Sequence, residues 1–225
     1  MQDDDKKLAA ETAIAEIRDG MRVGLGSGST VAFAIAAIGR QLASWPKATF
    51  FSTSQSTTRA AREAGISIAR FADQVEIDLA IDGVDEIDPQ FCAIKGGGGA
   101  LLREKVVASA AERMVAIADG SKQVGVLGAP VPVEVLPFAQ MFVAGRVAAL
   151  DGEPMLRAAG DKEYRTNQGN LILDCHFGAI FDSEKLAFEL QAIPGVLGHG
   201  LFLTEVAAAY IADKGVVTKM ERNAA

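Results

Sequence analysis

Apolar and polar positions in the first half of the chain alternate between helical and strand-like spacing. Apolar residues three and four positions apart predict a helix at 6–18, which the turn Asp19-Gly20 closes. Short apolar runs predict strands, and the segments between them predict further helices. The predicted strands are 21–25, 49–52, 66–70, 79–81 and 114–118, and the predicted helices are 31–43, 54–64 and 101–110. This alternation predicts an α/β fold with a parallel sheet covered on both faces.

The pattern changes after Gly128, where three prolines interrupt the chain. Beyond them the sequence predicts a helix-like segment at 145–149, a turn at 167–170, a strand at 171–174 and a helix at 183–192. Such mixed elements favour a small α+β domain, and the strand-like pair Val216-Val217 is expected to return to the main sheet. The predicted division is a main α/β domain at 1–129 and 204–225, with a smaller α+β domain at 130–203.

Composition narrows the class of protein. The chain has 225 residues, of which 49% are hydrophobic, enough to bury a sizeable core. Its net charge is −7 and its lysines and arginines are scattered, whereas nucleic-acid binders carry a basic stripe. The two cysteines are far apart in the sequence, so we expect neither a disulfide framework nor a zinc site. The chain has no long apolar run and no leader-like N-terminus, so we expect neither a membrane partner nor a signal peptide. The expected protein is soluble and cytoplasmic, and any anionic ligand needs a local site.

The first candidate for chemistry is the glycine-rich loop at 24–30, between a predicted strand and a predicted helix. Unpaired backbone N–H groups and the helix dipole favour an anion such as phosphate there, and Ser27, Ser29 and Thr30 add hydroxyl donors. The loop lacks the lysine of a P-loop, and serine or valine stands where a dinucleotide-binding fingerprint needs glycine. The alternative is a tight turn whose glycines serve sterics alone.

The second candidate is a carboxylate cluster at the end of the predicted strand 79–81. Asp82 and Asp85 belong to it, and open α/β sheets bind ligands just beyond the carboxyl ends of their strands. These carboxylates can act as bases or accept hydrogen bonds from sugar hydroxyls. The cluster could instead be a solvated acidic turn with Asp85 as its cap or, less favoured because no histidine lies close by, a divalent metal site.

The third candidate is Lys95, the four glycines Gly96–Gly99 and Glu104. Consecutive glycines are entropically costly, so they often mark close approach of the backbone to a ligand or another chain. Lys95 can stabilise negative charge on a carbonyl oxygen, and Glu104 can move a proton. As an exposed helix residue Glu104 would face Ala108 four positions on, which offers no charge pair, so the pattern favours a function.

A fourth segment adds a lysine at the same predicted edge of the sheet. Lys122 follows the predicted strand 114–118 after a short Asp119-Gly-Ser turn. Taken alone, it is interpreted as a surface lysine. The four segments together predict one rim that carries hydroxyls, carboxylates, glycines and lysines.

These segments resemble the signature motifs of the type A ribose-5-phosphate isomerases in order and spacing. The segments are Gly26-Ser-Gly-Ser-Thr30, Asp82-Gly-Val-Asp85, Lys95-Gly-Gly-Gly-Gly-Ala-Leu-Leu-Arg-Glu104 and Asp119-Gly-Ser-Lys122. The similarity continues through 193–202 and so covers nearly the whole chain. Ser27 replaces a common threonine and Val84 a common alanine, while the segments that begin at Arg157 and Thr166 also depart from the family pattern.

The resemblance implies a Rossmann-like parallel-sheet main domain with a smaller α+β, ferredoxin-like domain. It also implies an aldose-ketose isomerase of the non-oxidative pentose phosphate pathway, which interconverts D-ribose 5-phosphate and D-ribulose 5-phosphate through an enediolate. No cofactor or metal is expected, and the expected assembly is a homodimer or homotetramer. The partner is a small phosphosugar, with no nucleic acid and no membrane.

Residue roles also follow from the resemblance. Glu104 is expected to be the proton-transferring base, while Asp82, Asp85 and Lys95 surround the reacting end of the sugar. Either aspartate is expected to assist ring opening, and Lys95 to stabilise the enediolate oxygen. The expected substrate-binding residues are Lys7, Ser27, Gly28, Ser29, Thr30, Asp82, Gly83, Val84, Asp85, Lys95, Gly96, Gly97, Gly98 and Lys122.

Three rival functions to the isomerase follow from related folds. They are a non-catalytic sugar-phosphate sensor, an amino-sugar deaminase and a lactonase. A sensor attached to a transcription regulator would carry a DNA-binding module, and the sequence shows neither a helix-turn-helix appendage nor a basic stripe. His176 and His199 are interpreted as structural.

Overall fold

The computed structural model describes residues 2–222. Its helices are α1 (Gln2–Ala13), α2 (Ser29–Gln41), α3 (Gln55–Glu63), α4 (Leu101–Ala110), α5 (Gln140–Ala148) and α6 (Ser183–Gln191). Its strands are β1 (Arg22–Leu25), β2 (Thr49–Ser52), β3 (Ile77–Gly83), β4 (Glu86–Ile87), β5 (Ala93–Ile94), β6 (Ala111–Asp119), β7 (Val131–Val135), β8 (Glu153–Leu156), β9 (Ala158–Ala159), β10 (Lys162–Glu163), β11 (Leu171–His176), β12 (Val196–His199), β13 (Leu201–Phe202), β14 (Val206–Asp213) and β15 (Val216–Glu221). Within the described residues, no helix is both long and apolar enough to cross a bilayer.

The described chain divides into two compact units. Unit 1 holds residues 2–84, 103–123 and 204–222, and unit 2 holds residues 85–102 and 124–203. The sequence predicted the second domain at 130–203, whereas unit 2 also takes in 85–102 and 124–129. The reason is strand pairing, because β5 lies between β4 and β13 in a three-stranded sheet.

Unit 1 is built on a six-stranded sheet in the order β15-β14-β6-β3-β1-β2. Every neighbouring pair from β2 to β14 is parallel, and only β15 runs antiparallel, beside β14. This confirms the predicted α/β class and the predicted return of Val216-Val217 to the main sheet. Because β1, β3 and β6 are parallel, their carboxyl ends lie at one edge, which places the segments that follow them together.

The core of unit 1 is formed by branched aliphatic residues of the strands and small residues of the helices. Val23, Leu25 and Ile81 of the sheet are fully buried, as are Ala34 and Ala37 of α2. Alanine at these helical positions lets α2 approach the sheet closely, since it has no side chain beyond Cβ to hold it away. The apolar spacing that predicted these helices therefore also marks their buried faces.

Unit 2 combines antiparallel sheets with two helices. Its four-stranded sheet has the order β12-β7-β11-β8, and β9 pairs with β10 in a separate hairpin. Buried aliphatic residues of β7 and β11 form its core with α5 and α6, including Val133, Leu173 and Leu190. The predicted α+β character of the second half is confirmed.

The predicted strand at 66–70 was wrong, and the sequence did not predict β7. Segment 66–70 is not a strand, because among the described residues it makes one isolated bridge, from Ile68 to Phe50. The proline-rich segment after Gly128 contains β7. Its Pro132 has no N–H to donate, but its carbonyl can still accept a hydrogen bond. The carbonyl of Pro132 accepts one from the Gly200 N–H at 2.7 Å.

Candidate active site

The glycine-rich loop of unit 1 leaves β1 in contact with the end of β3. The Gly26 N–H donates to the Ile81 carbonyl at 3.0 Å, and the buried Thr57 hydroxyl donates to the Gly26 carbonyl at 2.6 Å. A Cβ on Gly26 would lie 1.8 Å from the carboxylate carbon of Asp82. Glycine at this position therefore allows the loop backbone to pass directly beside a buried carboxylate.

The same loop ends at the N-terminus of α2. Gly28 precedes the helix with φ of 98°, a conformation that favours glycine, and Ser29 and Thr30 are its first two residues. The N–H groups of a first helical turn have no partner within their helix, and the helix dipole adds positive potential there. The expected anion site of Ser27 to Thr30 thus has a suitable backbone arrangement.

Asp82 is a buried carboxylate at the carboxyl end of β3, with 4% of its surface exposed. Its Oδ1 accepts hydrogen bonds from the Ser27 N–H at 3.1 Å and from the Gly83 N–H at 2.7 Å. Two backbone donors hold this carboxylate in one orientation. It can therefore present a fixed acceptor to a sugar hydroxyl.

Glu104 lies in α4 and is also buried, with 4% of its surface exposed. The Ser27 hydroxyl donates to its Oε1 at 2.5 Å. Its interpretation as an exposed helix residue is therefore wrong. Unit 1 brings Ser27, Asp82 and Glu104 together, although 77 positions separate the serine from the glutamate.

The two predicted lysines of unit 1 lie at different places. Lys122 ends the short helical turn after β6, which Asp119 caps by accepting from the Ser121 N–H at 3.1 Å. Burial acts to raise the pKa of Asp119, but hydrogen bonds from Ser121 and Gln2 and the charge of Lys122 together outweigh it, so the pKa lies below its ordinary value. Lys7 is exposed on α1 and lines an open groove together with Lys214 and acidic residues of the same helix.

In unit 2, hydrogen bonds hold both the backbone and the side chain of Asp85. Its N–H donates to the Ile94 carbonyl at 2.8 Å, and its Oδ2 accepts from the Gly97 N–H at 2.8 Å. A Cβ on Gly97 would lie 2.8 Å from Asp85 Oδ1, closer than real Cβ atoms approach. The absence of a side chain at Gly97 therefore leaves room for this carboxylate, which accounts for one of the four glycines.

Lys95 is among the most deeply buried large side chains of the protein, with 2% of its surface exposed. Its ammonium group lies 5.3 Å from the centroid of the Phe202 ring, within range of a cation–π interaction. The backbone N–H of Lys95 donates to the Gly200 carbonyl at 2.8 Å, which fixes where the side chain begins. A cation in such a dry setting interacts strongly with developing negative charge.

Arg157 contacts the glycine segment, although sequence reasoning did not include it among the candidate site residues. Its Nη1 donates to the carbonyl oxygens of Gly96 and Gly97 at 2.9 and 3.1 Å, and its Nε donates to Asp174 Oδ2 at 2.8 Å. The sequence marked Arg157 only as the start of a segment that departs from the family pattern. Spacing gives no signal for this contact, because 61 positions separate Arg157 from Gly96.

The remaining predicted residues lie next to those already described. Val84 is the last residue of its segment in unit 1 and is buried, with 8% of its surface exposed. Gly98 lies in unit 2, where its carbonyl accepts a long hydrogen bond from the Tyr164 hydroxyl at 3.4 Å. The described residues contain no group of three or more histidine, cysteine, aspartate or glutamate side chains that could hold a metal ion.

Comparison with known proteins identifies the family. The model of the family described as ribose 5-phosphate isomerase A (phosphoriboisomerase A) matches residues 49–215. A protein of Sphingopyxis alaskensis named ribose-5-phosphate isomerase A is 45% identical over 222 residues, which cover 98% of this chain and 97% of that one. The protein of that name from Agrobacterium fabrum is 46% identical over 216 residues, covering 92% of this chain and 93% of that one.

Solved structures give the same result. A D-ribose-5-phosphate isomerase in complex with phospho-erythronic acid has a TM-score of 0.95 at 33% identity and covers 99% of this chain and 100% of its own. Ribose 5 phosphate isomerase A from Neisseria gonorrhoeae has a TM-score of 0.93 at 34% identity and covers 100% of this chain and 99% of its own. The chain described here belongs to the ribose-5-phosphate isomerase A family.

Proposed function

We propose that this isomerase interconverts D-ribose 5-phosphate and D-ribulose 5-phosphate through an enediolate, with Glu104 as the base that moves the proton. The observation that carries the proposal is the buried Glu104 carboxylate, whose Oε1 is held by the Ser27 hydroxyl at 2.5 Å. General base catalysis needs a carboxylate fixed in position and shielded from bulk water. Glu104 meets both conditions within unit 1.

The chemistry requires a base, a polarised carbonyl and no redox partner. In the open-chain aldose, the C2 proton is acidic only when the C1 carbonyl is polarised. Glu104 removes that proton, the electrons move onto the C1 oxygen, and an enediolate forms. Protonated Glu104 then returns the proton to C1, while a proton passes from the C2 hydroxyl to the C1 oxygen. Atoms and charges balance without a cofactor.

The other roles are assigned residue by residue. Lys95 stabilises the enediolate oxygen, a role supported by its burial, since a cation in a dry setting stabilises an oxyanion more than it would in water. Asp82 or Asp85 assists ring opening; two backbone N–H groups orient the Asp82 carboxylate and one orients that of Asp85. Both aspartates remain candidates for that step.

The phosphate is assigned to the N-terminus of α2, with Ser27 to Thr30 around it and Lys122 and Lys7 as cationic partners. Support comes from the left-handed Gly28, which lets the chain enter α2 with the N–H groups of the first turn directed outward. A doubly charged phosphate gains from both these N–H groups and the helix dipole.

The decisive experiment compares wild type with Glu104→Gln and with Glu112→Gln as the matched control. Glu112 is an exposed carboxylate of the same unit, so its substitution makes the same chemical change away from the site. Conversion of ribose 5-phosphate is measured with chelator present, and substrate-induced thermal stabilisation is measured for each protein. We expect Glu104→Gln to lose at least about 100-fold in kcat while substrate still stabilises it, and Glu112→Gln to match wild type.

Two outcomes would count against the proposal. Equal loss of turnover and of stabilisation in Glu104→Gln would contradict a purely chemical role for Glu104. Stabilisation of wild type without any turnover would contradict the isomerase and favour a sugar-phosphate sensor. Product analysis distinguishes the isomerase from an amino-sugar deaminase, which releases ammonia, and from a lactonase, which releases acid.

The proposal includes a homodimer or homotetramer, a cytoplasmic location and metal-independent catalysis. The assembly is supported by large apolar side chains that unit 2 leaves exposed, among them Phe138 and Phe181, with 102% and 85% of their surfaces accessible. Location and metal independence stay predictions from the sequence and the family resemblance. The chelator in the conversion assay directly tests metal independence.

A further inference from the structure

The peptide between Gly96 and Gly97 is bound on both of its polar sides by charged residues of unit 2. Its carbonyl oxygen, on Gly96, accepts from Arg157 Nη1 at 2.9 Å. Its N–H, on Gly97, donates to Asp85 Oδ2 at 2.8 Å. Because the C=O and N–H of a trans peptide point in opposite directions, the peptide dipole lies between a cation and an anion.

Arg157 is itself held in place by a carboxylate. Its Nε donates to Asp174 Oδ2 at 2.8 Å, and its Nη2 bonds the other oxygen, Asp174 Oδ1. The Tyr164 ring lies 5.8 Å from its guanidinium carbon, and 13% of the arginine side chain is exposed. The planar guanidinium thus binds Asp174 with one edge while Nη1 reaches the glycine carbonyls, an arrangement that a lysine ammonium does not reproduce.

The glycine segment is ordered by an internal turn, in which the Gly99 N–H donates to the Gly96 carbonyl at 2.9 Å, and by the bonds from Arg157 to the same carbonyl and to that of Gly97. Gly96 and Gly99 have φ of 103° and 79°, and four consecutive glycines lose more conformational entropy on ordering than any other residues would. Arg157 adds two charge-assisted bonds to this turn, and they favour the peptide orientation in which the Gly97 N–H meets Asp85.

We propose that Arg157 is a positioning residue for the isomerase reaction. It acts through the Gly96–Gly97 peptide, whose N–H orients the Asp85 carboxylate, and Asp174 holds Arg157 for this task. The inference rests on the proposed function, in which Asp85 is one of two candidates for ring opening. It adds Arg157 and Asp174, two residues outside the site set that the sequence predicted.

The test uses Arg157→Met, Arg157→Lys and Asp174→Asn, with Arg165→Met as the matched control. Arg165 belongs to the same unit, donates to the Gly169 carbonyl at 3.2 Å and pairs with Glu163, so its loss removes similar bonds elsewhere. For each protein we would measure kcat, KM, the melting temperature and the hydrogen-exchange rate of the Gly97 amide by NMR. The exchange rate of the Gly97 amide reports on the proposed contact itself. A loss of global stability would also speed exchange at core amides, so a change confined to Gly97 has a local cause.

We expect Arg157→Met to lower kcat about 10- to 100-fold with a smaller change in KM, because charge-assisted hydrogen bonds are lost. The Gly97 amide should exchange faster than in wild type while core amides keep their protection. Arg157→Lys and Asp174→Asn should lie between Arg157→Met and wild type, since each keeps part of the arrangement. Arg165→Met should match wild type in kcat and in Gly97 exchange.

Wild-type kcat in Arg157→Met would overturn the proposal. So would a lower kcat with a Gly97 amide as protected as in wild type, because the arginine would then not act through the peptide. If Arg157→Met fails to fold, kcat and the exchange rate of the Gly97 amide in Arg157→Lys and Asp174→Asn decide the question. Failure of the proposed function is distinct, since wild type itself would then not convert ribose 5-phosphate.

Discussion

Gly26 is a position at which the loop backbone passes directly beside the buried Asp82 carboxylate. The sequence shows only that a glycine stands in this loop. In the structure, the Asp82 carboxylate occupies the place that a Cβ at position 26 would take, which excludes a larger residue. In unit 2, a Cβ on Gly97 would likewise lie too close to the Asp85 carboxylate. At both positions the absent side chain is what allows the carboxylate to receive backbone hydrogen bonds.

Gly26→Ala should therefore damage both stability and catalysis. The new methyl group would lie 1.8 Å from the Asp82 carboxylate carbon, so either the loop or Asp82 must move. We expect a loss of about 1–3 kcal/mol in the free energy of unfolding and a strong fall in kcat, measured by denaturant unfolding and by steady-state kinetics. Gly125→Ala is the control, because nothing lies within 4 Å of a Cβ at that position. Wild-type kcat in Gly26→Ala would contradict this account of the loop.

At the scale of elements, a charged cluster ties the segment after α1 to three strands of the main sheet. Arg113 of β6 donates to Glu16 Oε2 at 2.6 Å, and the Tyr210 hydroxyl of β14 donates to Glu16 Oε1 at 2.7 Å. Lys219 of β15 lies 3.3 Å from the same carboxylate. Burial acts to raise the pKa of Glu16, but the hydrogen bonds from Arg113 and Tyr210 outweigh it and lower the pKa from 4.5 to about 2.

This depressed pKa predicts how stability depends on pH. The unfolded chain binds a proton at Glu16 more readily than the folded one, so the stabilisation is fully present above pH 4.5 and is lost as the pH falls toward about 2. Compared with wild type, Glu16→Gln should lose about 1–3 kcal/mol at pH 7, and the difference should shrink below pH 4.5. Urea unfolding from pH 7 downward measures it, with the exposed Glu153→Gln as control. A difference that stays constant with pH would contradict the role of ionised Glu16.

At the scale of the whole molecule, the two units differ in what they leave exposed. Several large apolar side chains of unit 2 are largely accessible, among them Phe138, Met141, Phe181 and Phe188, with exposures of 102%, 78%, 85% and 75%. Isolated apolar side chains on a surface are ordinary, but this many aromatic ones are costly to leave in water. Burial against a second copy of the chain would remove that cost and agrees with the proposed assembly.

The expected mass in solution is therefore a multiple of the chain mass of 23.6 kDa. Light scattering coupled to size exclusion measures that mass across a range of protein concentrations. Replacing Phe138 and Phe188 by serine should lower the mass or raise the concentration needed for assembly. Val75→Ser in unit 1 is the control, since Val75 is 88% exposed but belongs to the other unit. A monomer at every concentration would contradict the predicted oligomer.

The sequence by itself determined the elements whose signals are local, and the candidate site residues that share a motif with them. Helix α4 and strand β2 begin and end where the apolar spacing predicted, because that spacing directly reflects which face is buried. The strand predicted at 66–70 is absent and β7 was not predicted, since strand formation depends on partners that the local pattern does not reveal. The family motifs supplied Asp82, Lys95 and Glu104, whose roles as catalytic residues stay predictions.

Only the tertiary structure decided which side chains meet across long stretches of chain. The hydrogen bond from Ser27 to Glu104 spans 77 positions, and the one from Arg157 to Gly96 spans 61. It also decided that 85–102 folds with unit 2, because β5 pairs with β13 about a hundred residues later. Local propensity carries no information about such contacts. They depend on how the sheets are ordered and on which buried polar groups must find a partner once the chain has folded.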